Sequence, residues 1–153
     1  MSASGSSIAL SPSVARVTRV VNWGRFTVVG LATMLAAALA NVVVFYVADP
    51  FVAYDHRFQI LNNVGPAISM TLLAAIPAVL LYAALLRYAG DPARRYTIIS
   101  AVVFVVTLIP DFTYIPGVAG ASHAQTAVLV LMHVVTAIVI VGMLTKLARP
   151  AER

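Results

Sequence analysis

Four long apolar stretches, with the charged residues confined to the gaps between them, decide what this chain can fold into. Phe26 to Ala48 and Phe58 to Leu86 carry no acidic, basic or histidine side chain, and Ala124 to Thr145 carries only His133. Tyr96 to Pro110 is shorter and is followed by Asp111. A bilayer's hydrocarbon core takes about 20 apolar helical residues to cross, because each adds roughly 1.5 Å. The pattern predicts an all-α fold, a bundle of four transmembrane helices spanning approximately residues 25–48, 66–87, 96–115 and 123–146. Residues 1–22 form a tail before the bundle and 150–153 a tail after it.

Composition supports this and removes several function classes. The chain is 61% hydrophobic and 10% charged, where a soluble domain carries about 25% charged residues. The tails and loops are too short for a soluble catalytic domain. The net charge of +5 does not point to nucleic acid, because the basic residues flank the spans, where membrane topology explains them. The absence of cysteine excludes disulfides, thiol redox chemistry and Cys-ligated metal centres.

Lys and Arg collect on cytoplasmic loops. Arg16, Arg19 and Arg25 precede the first span, Arg87, Arg94 and Arg95 separate the second and third, and Lys146, Arg149 and Arg153 follow the fourth. The opposite side holds Arg57 with Asp49, Asp55 and Asp111. Both termini are therefore expected in the cytoplasm (N-in, C-in), which needs an even number of spans and so supports the short third one. Ala38-Leu39-Ala40 has the small-x-small pattern of a signal cleavage site. The apolar run continues to Ala48, so the segment reads as a span.

Local signals mark several boundaries. Val14, Val17 and Val21 recur at helical spacing before Trp23, as in a short interfacial helix or an extension of the first span. Asn63 is placed to cap the second span, with Pro66 in its first turn. Gly90-Asp91-Pro92 makes a tight turn, and Ser122 with Gln125 has the capping-box spacing. Ala32, Ala36 and Ala40 place small residues on one face of the first span, which lets helices approach closely. Trp23, Tyr88 and Tyr96 on one side, and Tyr46 and Tyr114 on the other, stand where interfacial aromatic anchors belong. Pro110 leaves two courses open: the third span runs on to Ile115 and takes Asp111 into the membrane, or the chain turns and Asp111 sits in water.

Polar groups within spans are costly and are the first functional candidates. They are Asn41, Asp111, His133 and Thr136, with Thr126 on the face of His133, Thr107 at similar depth, and Ser69 and Thr71 nearer the outer surface. On an ideal rise His133 lies about 13 Å below the outer end of the fourth span. Together they suggest a polar patch facing inward and open toward the outside. The competing account makes His133 a hydrogen-bonded packing residue, Asn41 interhelical glue and Asp111 a loop carboxylate. Asp49, Asp55, His56, Asp111 and His123 include metal-binding residue types, yet their spacing matches no ligand motif. A lone membrane-depth histidine does not suit a two-histidine haem. No metal and no cofactor are expected.

The segment Leu131-Met132-His133-Val134-Val135, with the apolar run into Leu144, Lys146 and Arg149, resembles the C-terminal signature of an uncharacterised family of four-helix bacterial integral membrane proteins, common in actinobacteria. The resemblance implies a four-span bundle and a membrane location, singles out His133, and supplies no activity or cofactor. The first functional expectation is a small non-enzymatic accessory or interaction subunit of a bacterial cytoplasmic membrane, multi-pass, whose partners are the lipid bilayer and either a copy of itself or another membrane protein. The alternative is a transporter or channel component with a polar site in the outer half of the bundle. That alternative gains if Asp111 is buried and Asn41 and His133 face one interior.

Overall fold

The computed structural model describes residues 21–148 except Ala53 and His56. The short helix expected ahead of Trp23 and the tail 150–153 lie outside those residues. Four α-helices follow one another: α1 (Trp23–Ala48), α2 (Val64–Tyr88), α3 (Pro92–Thr113) and α4 (His123–Leu147), with a single 3-10 turn at Ile115–Gly117 after α3. Each is long and apolar enough to cross a membrane.

The helices start where a side chain can satisfy their first backbone donors, a requirement set by the orphaned N–H groups of any helix end. Asn22 accepts from the Arg25 N–H at 3.0 Å, Asn63 from Gly65 at 2.8 Å and Asp91 from Arg94 at 3.1 Å. Ser122 and Gln125 close a reciprocal capping box at 3.2 and 3.0 Å. The Asp91 cap and Pro92 at the first helical position start α3 four residues earlier than the hydropathy of the segment suggests. At its far end α3 runs through Pro110 to Thr113, giving 22 residues and a length of about 33 Å. That is enough to cross, and it carries Asp111 into the bundle.

Around the bundle α1 packs against α4 and α2, α3 packs against α4 and more lightly against α2, and α2 meets α4 across the middle. Among the described residues α1 and α3 do not meet. Two clusters of buried side chains hold the ends. At the end where Arg25, Arg87, Arg94, Arg95 and Lys146 lie, here the basic end, Phe26 stacks on Tyr82 and Tyr82 meets the Tyr96 ring edge-on at 4.9 Å. Tyr96 is therefore a core residue and not an interfacial anchor. Trp23, Tyr88, Tyr46 and Tyr114 are exposed, as anchors at the two bilayer surfaces should be.

The other end, here the loop end, has a roof. Phe58 and Leu61, from the connection between α1 and α2, are fully buried against Phe45, Ile115, Val128, Leu129 and Met132. Tyr54 stacks on Phe45 at 4.8 Å and donates to its carbonyl at 3.0 Å. Burial, and then the nearby Asp49 charge, hold the Tyr54 phenol above its ordinary pKa, so it stays a donor across the neutral range. Gly120, at φ +80°, lies so close to the other loop that a Cβ there would sit 2.9 Å from Arg57 Cβ and from the Phe58 backbone nitrogen. The two loops interlock.

The inward face of α1 is Phe26, Gly30, Thr33, Ala37, Ala38, Asn41 and Phe45. The Ala32, Ala36 and Ala40 face is not the buried one: Ala32 is exposed, and Ala36 and Ala40 are half-buried at its border. A span that is apolar all round gives no periodic signal to tell its inner face from its lipid face.

Candidate functional site

The site begins at Asn41, which is 3% exposed and points its amide group into the junction of three helices. Its Nδ2 donates to Thr71 Oγ1 of α2 at 2.7 Å and to Thr136 Oγ1 of α4 at 2.8 Å. Thr71 donates its own hydroxyl proton to the Ala67 carbonyl at 2.6 Å. Its oxygen can therefore only accept, and that requirement orients the Asn41 amide with nitrogen toward the threonines. Both amide protons are then spent, and the Asn41 Oδ1 is left buried with no hydrogen-bond partner. Orphaned polar atoms of this kind are rare in folded proteins and expensive.

Nearer the loop end of α4, His133 Nδ1 lies 2.9 Å from the Leu129 carbonyl and 3.2 Å from Asp111 Oδ2. A carbonyl oxygen only accepts, so Nδ1 carries the proton and donates to Leu129. The Asp111 contact is then an electrostatic approach, not a hydrogen bond, and Asp111 Oδ2 has no hydrogen-bond partner. Asp111 is 5% exposed. With Nδ1 committed, Nε2 is the nitrogen that His133 offers as an acceptor, and the side chain is 37% exposed.

A cavity of about 320 Å³ lies beside these groups, between α2, α3 and α4. Asn41, Thr71, His133 and Thr136 line it, together with Ser100, Thr107 and a largely apolar wall that includes Met70, Pro77, Phe104 and Met132. It is closed at the loop end by Leu61 and at the basic end by Tyr96, both almost fully buried. Its lining residues Met70, Ala74 and Pro77 on α2, and Val103 and Thr107 on α3, are exposed. The mouth is therefore the gap between α2 and α3, on the flank of the bundle. Along α3 only Pro92 and Tyr96 near one end and Asp111 near the other are buried. The helix is moored at its two ends and stands away from α2 in the middle.

Of the residues singled out in the sequence, Asn41 and Thr136 are hydrogen-bonded and His133 and Asp111 are in contact. Asn41, His133 and Thr136 share the cavity wall, while Asp111 stands behind His133 and is not part of it. The cavity opens on the flank, where the sequence suggested an opening at the outer surface. Thr126 bonds back to the Ser122 carbonyl and Ser69 to that of Pro66, and neither lines the cavity. Thr71, named in the sequence as part of the polar patch, is joined to Asn41, while Tyr96, Ser100 and Pro77 are cavity residues that the sequence did not place in that patch. Thr71 lies as many residues after the start of α2 as Asn41 lies before the end of α1, so the two share a depth. Among the described residues no three His, Asp or Glu side chains gather as a metal site would need. Asp49, Asp55 and His123 are exposed and His56 lies outside the described residues.

Four helices able to cross a bilayer, packed around a polar-floored cavity, define an integral membrane bundle. The chain belongs to the family of unknown function DUF6069, whose family model matches residues 21–150. No curated protein and no solved structure matches it.

Proposed function

We propose that this chain is a non-enzymatic, membrane-embedded binding protein for a small ligand, working as a component of a transport system in a bacterial cytoplasmic membrane with both termini inside. The observation that carries this is the cavity of about 320 Å³ at whose wall Asn41, Thr136 and His133 converge. Small-molecule sites are concave, mostly apolar and fitted with a few placed polar groups, in volumes from about 300 Å³ upward. A pure packing role for these residues leaves the unpaired Asn41 carbonyl oxygen without a purpose. Catalysis is disfavoured because, among the described residues, the ionisable ones lining the cavity are only Tyr96 and His133. The charge asymmetry of the helix ends supports the orientation: Arg25, Arg94 and Arg95 occupy first turns of helices, where the helix dipole disfavours cations and topology alone accounts for them.

The test is native mass spectrometry of the full chain released gently from its own membrane. A co-purifying small molecule is expected, and it should be lost in Ala137→Trp, which places a large ring in the cavity, while the circular dichroism stays helical. A chain that carries no adduct, or one retained in Ala137→Trp, sinks the proposal.

A further inference from the structure

We infer that the cavity takes an elongated apolar molecule bearing an uncharged head that both accepts and donates a hydrogen bond, a hydroxyl or a primary carboxamide, and that Asn41 and Thr136 read that head. This rests on the binding role proposed above and specifies its ligand. The first support is donor and acceptor accounting. Thr71 and both Asn41 amide protons are spent within the protein. At Asn41 and Thr136 the groups left unspent are the buried, unpaired Asn41 Oδ1 as acceptor and the hydroxyl proton of Thr136, whose oxygen already accepts from Asn41; the further acceptor, His133 Nε2, lies nearer the loop end. An acceptor beside a donor is the complement of a group that does both, as a hydroxyl does.

Charge is the second support. Among the described residues no Lys, Arg, Asp or Glu lines the cavity. A carboxylate or phosphate head would lose its hydration with no cation to meet it, and an ammonium would find no facing carboxylate, since Asp111 lies behind His133. Shape is the third. The wall runs along α2 from Pro66 to Leu81, a rise of about 22 Å, so so modest a volume is long and narrow, which suits a chain more than a disc. Access is the fourth. The mouth lies between α2 and α3, whose outer faces carry Leu73, Ile76, Leu80, Val102 and Val106 exposed as a lipid-facing surface does. An apolar molecule dissolved in the bilayer reaches the site sideways, without crossing water.

The experiment uses the full chain in lipid nanodiscs and three diazirine-bearing photoprobes of equal chain length: a medium-chain primary alcohol, the matching carboxylate and the matching hydrocarbon. The alcohol should label Met70, Val103, Met132 or Ala137, and excess unlabelled alcohol should remove the label. Asn41→Leu should reduce alcohol labelling about fivefold, the factor that one net hydrogen bond supplies, and leave hydrocarbon labelling unchanged. Thr136→Val should act in the same direction while keeping the Asn41–Thr71 bond, so the inference stays testable if Asn41→Leu does not fold. Equal labelling by all three probes, or alcohol labelling indifferent to both variants, overturns the head-group inference and leaves a cavity that binds apolar molecules generally. Cavity residues labelled by none of the probes would overturn the binding role itself.

Discussion

Replacing Asn41 by leucine separates a residue kept for packing from one kept for a ligand. The substitution removes two interhelical hydrogen bonds, to Thr71 at 2.7 Å and to Thr136 at 2.8 Å. Hydrogen bonds between helices in a membrane average about 0.6 kcal/mol each and reach about 1.7, so the loss is about 1.2 kcal/mol. Against it stands the removal of the buried, unpaired Asn41 Oδ1, an orphan worth roughly 1–3 kcal/mol. Thr71 remains satisfied through the Ala67 carbonyl, so no new orphan appears there. The two terms nearly cancel, and Asn41→Leu should stay within about 1.5 kcal/mol of the parent chain. Reversible unfolding in mixed micelles, followed by helicity, measures it. A double-mutant cycle with Thr136→Val should return a coupling of about 0.6 kcal/mol. A loss of more than about 4 kcal/mol, beyond the range of two such bonds, would refute this reasoning, because the amide would then be indispensable to the fold. A coupling near zero would show that the Asn41–Thr136 bond contributes nothing.

Three further outcomes follow from the same contacts. Gly120→Ala should cost about 2 kcal/mol or more in the same unfolding assay, because the left-handed backbone alone costs roughly 1–2 and the added Cβ meets the Phe58 backbone at 2.9 Å; a neutral effect would mean the two loops do not interlock. Gly30→Leu should destabilise by about 1–3 kcal/mol through overpacking, since even a Cβ there lies 3.0 Å from Val79, whereas Gly142→Ala, with nothing within 4 Å, should be neutral or stabilising by up to about 1 kcal/mol. His133→Leu should cost more than Asp111→Asn, because it takes the 3.2 Å imidazole contact from a buried carboxyl whose Oδ2 already lacks a hydrogen-bond partner, an uncompensated burial worth about 1–3 kcal/mol; the double variant should lose less than the sum of the two single losses, and additive losses would show that the contact is incidental.

Much of the bundle was legible in the sequence because lipid imposes a length and a polarity that one chain must obey locally. The spans, the Asn63 cap, the Ser122–Gln125 box and the Gly90-Asp91-Pro92 turn are all encoded within a few residues. What the sequence did not disclose is non-local. The inner face of α1 follows Gly30, Ala37 and Asn41 instead of Ala32, Ala36 and Ala40, and hydropathy is the same on both faces. Phe58 and Leu61 read as ordinary residues of an apolar run, yet they form the roof that closes the loop end. That roof is why the cavity opens sideways and not at the loop end. Thr71 was a candidate in the sequence, but its pairing with Asn41 emerged only once α1 and α2 were placed side by side. Asp111 had two courses in the sequence, and the continuation of α3 through Pro110 decided between them, since a proline gives up one backbone donor without having to end a helix whose neighbours hold it.

The most direct test of a membrane cavity that opens between α2 and α3 is thiol labelling at Ala137, a cavity residue in a chain with no natural cysteine. Ala137→Cys in intact membranes should react with a lipid-soluble maleimide and resist a charged, water-soluble one, while an exposed control such as Ile138→Cys on the lipid face reports the reagent's access to the bilayer. Fast reaction with the charged reagent would place the mouth in water, and no reaction with either reagent, against a labelled control, would mean that there is no open cavity.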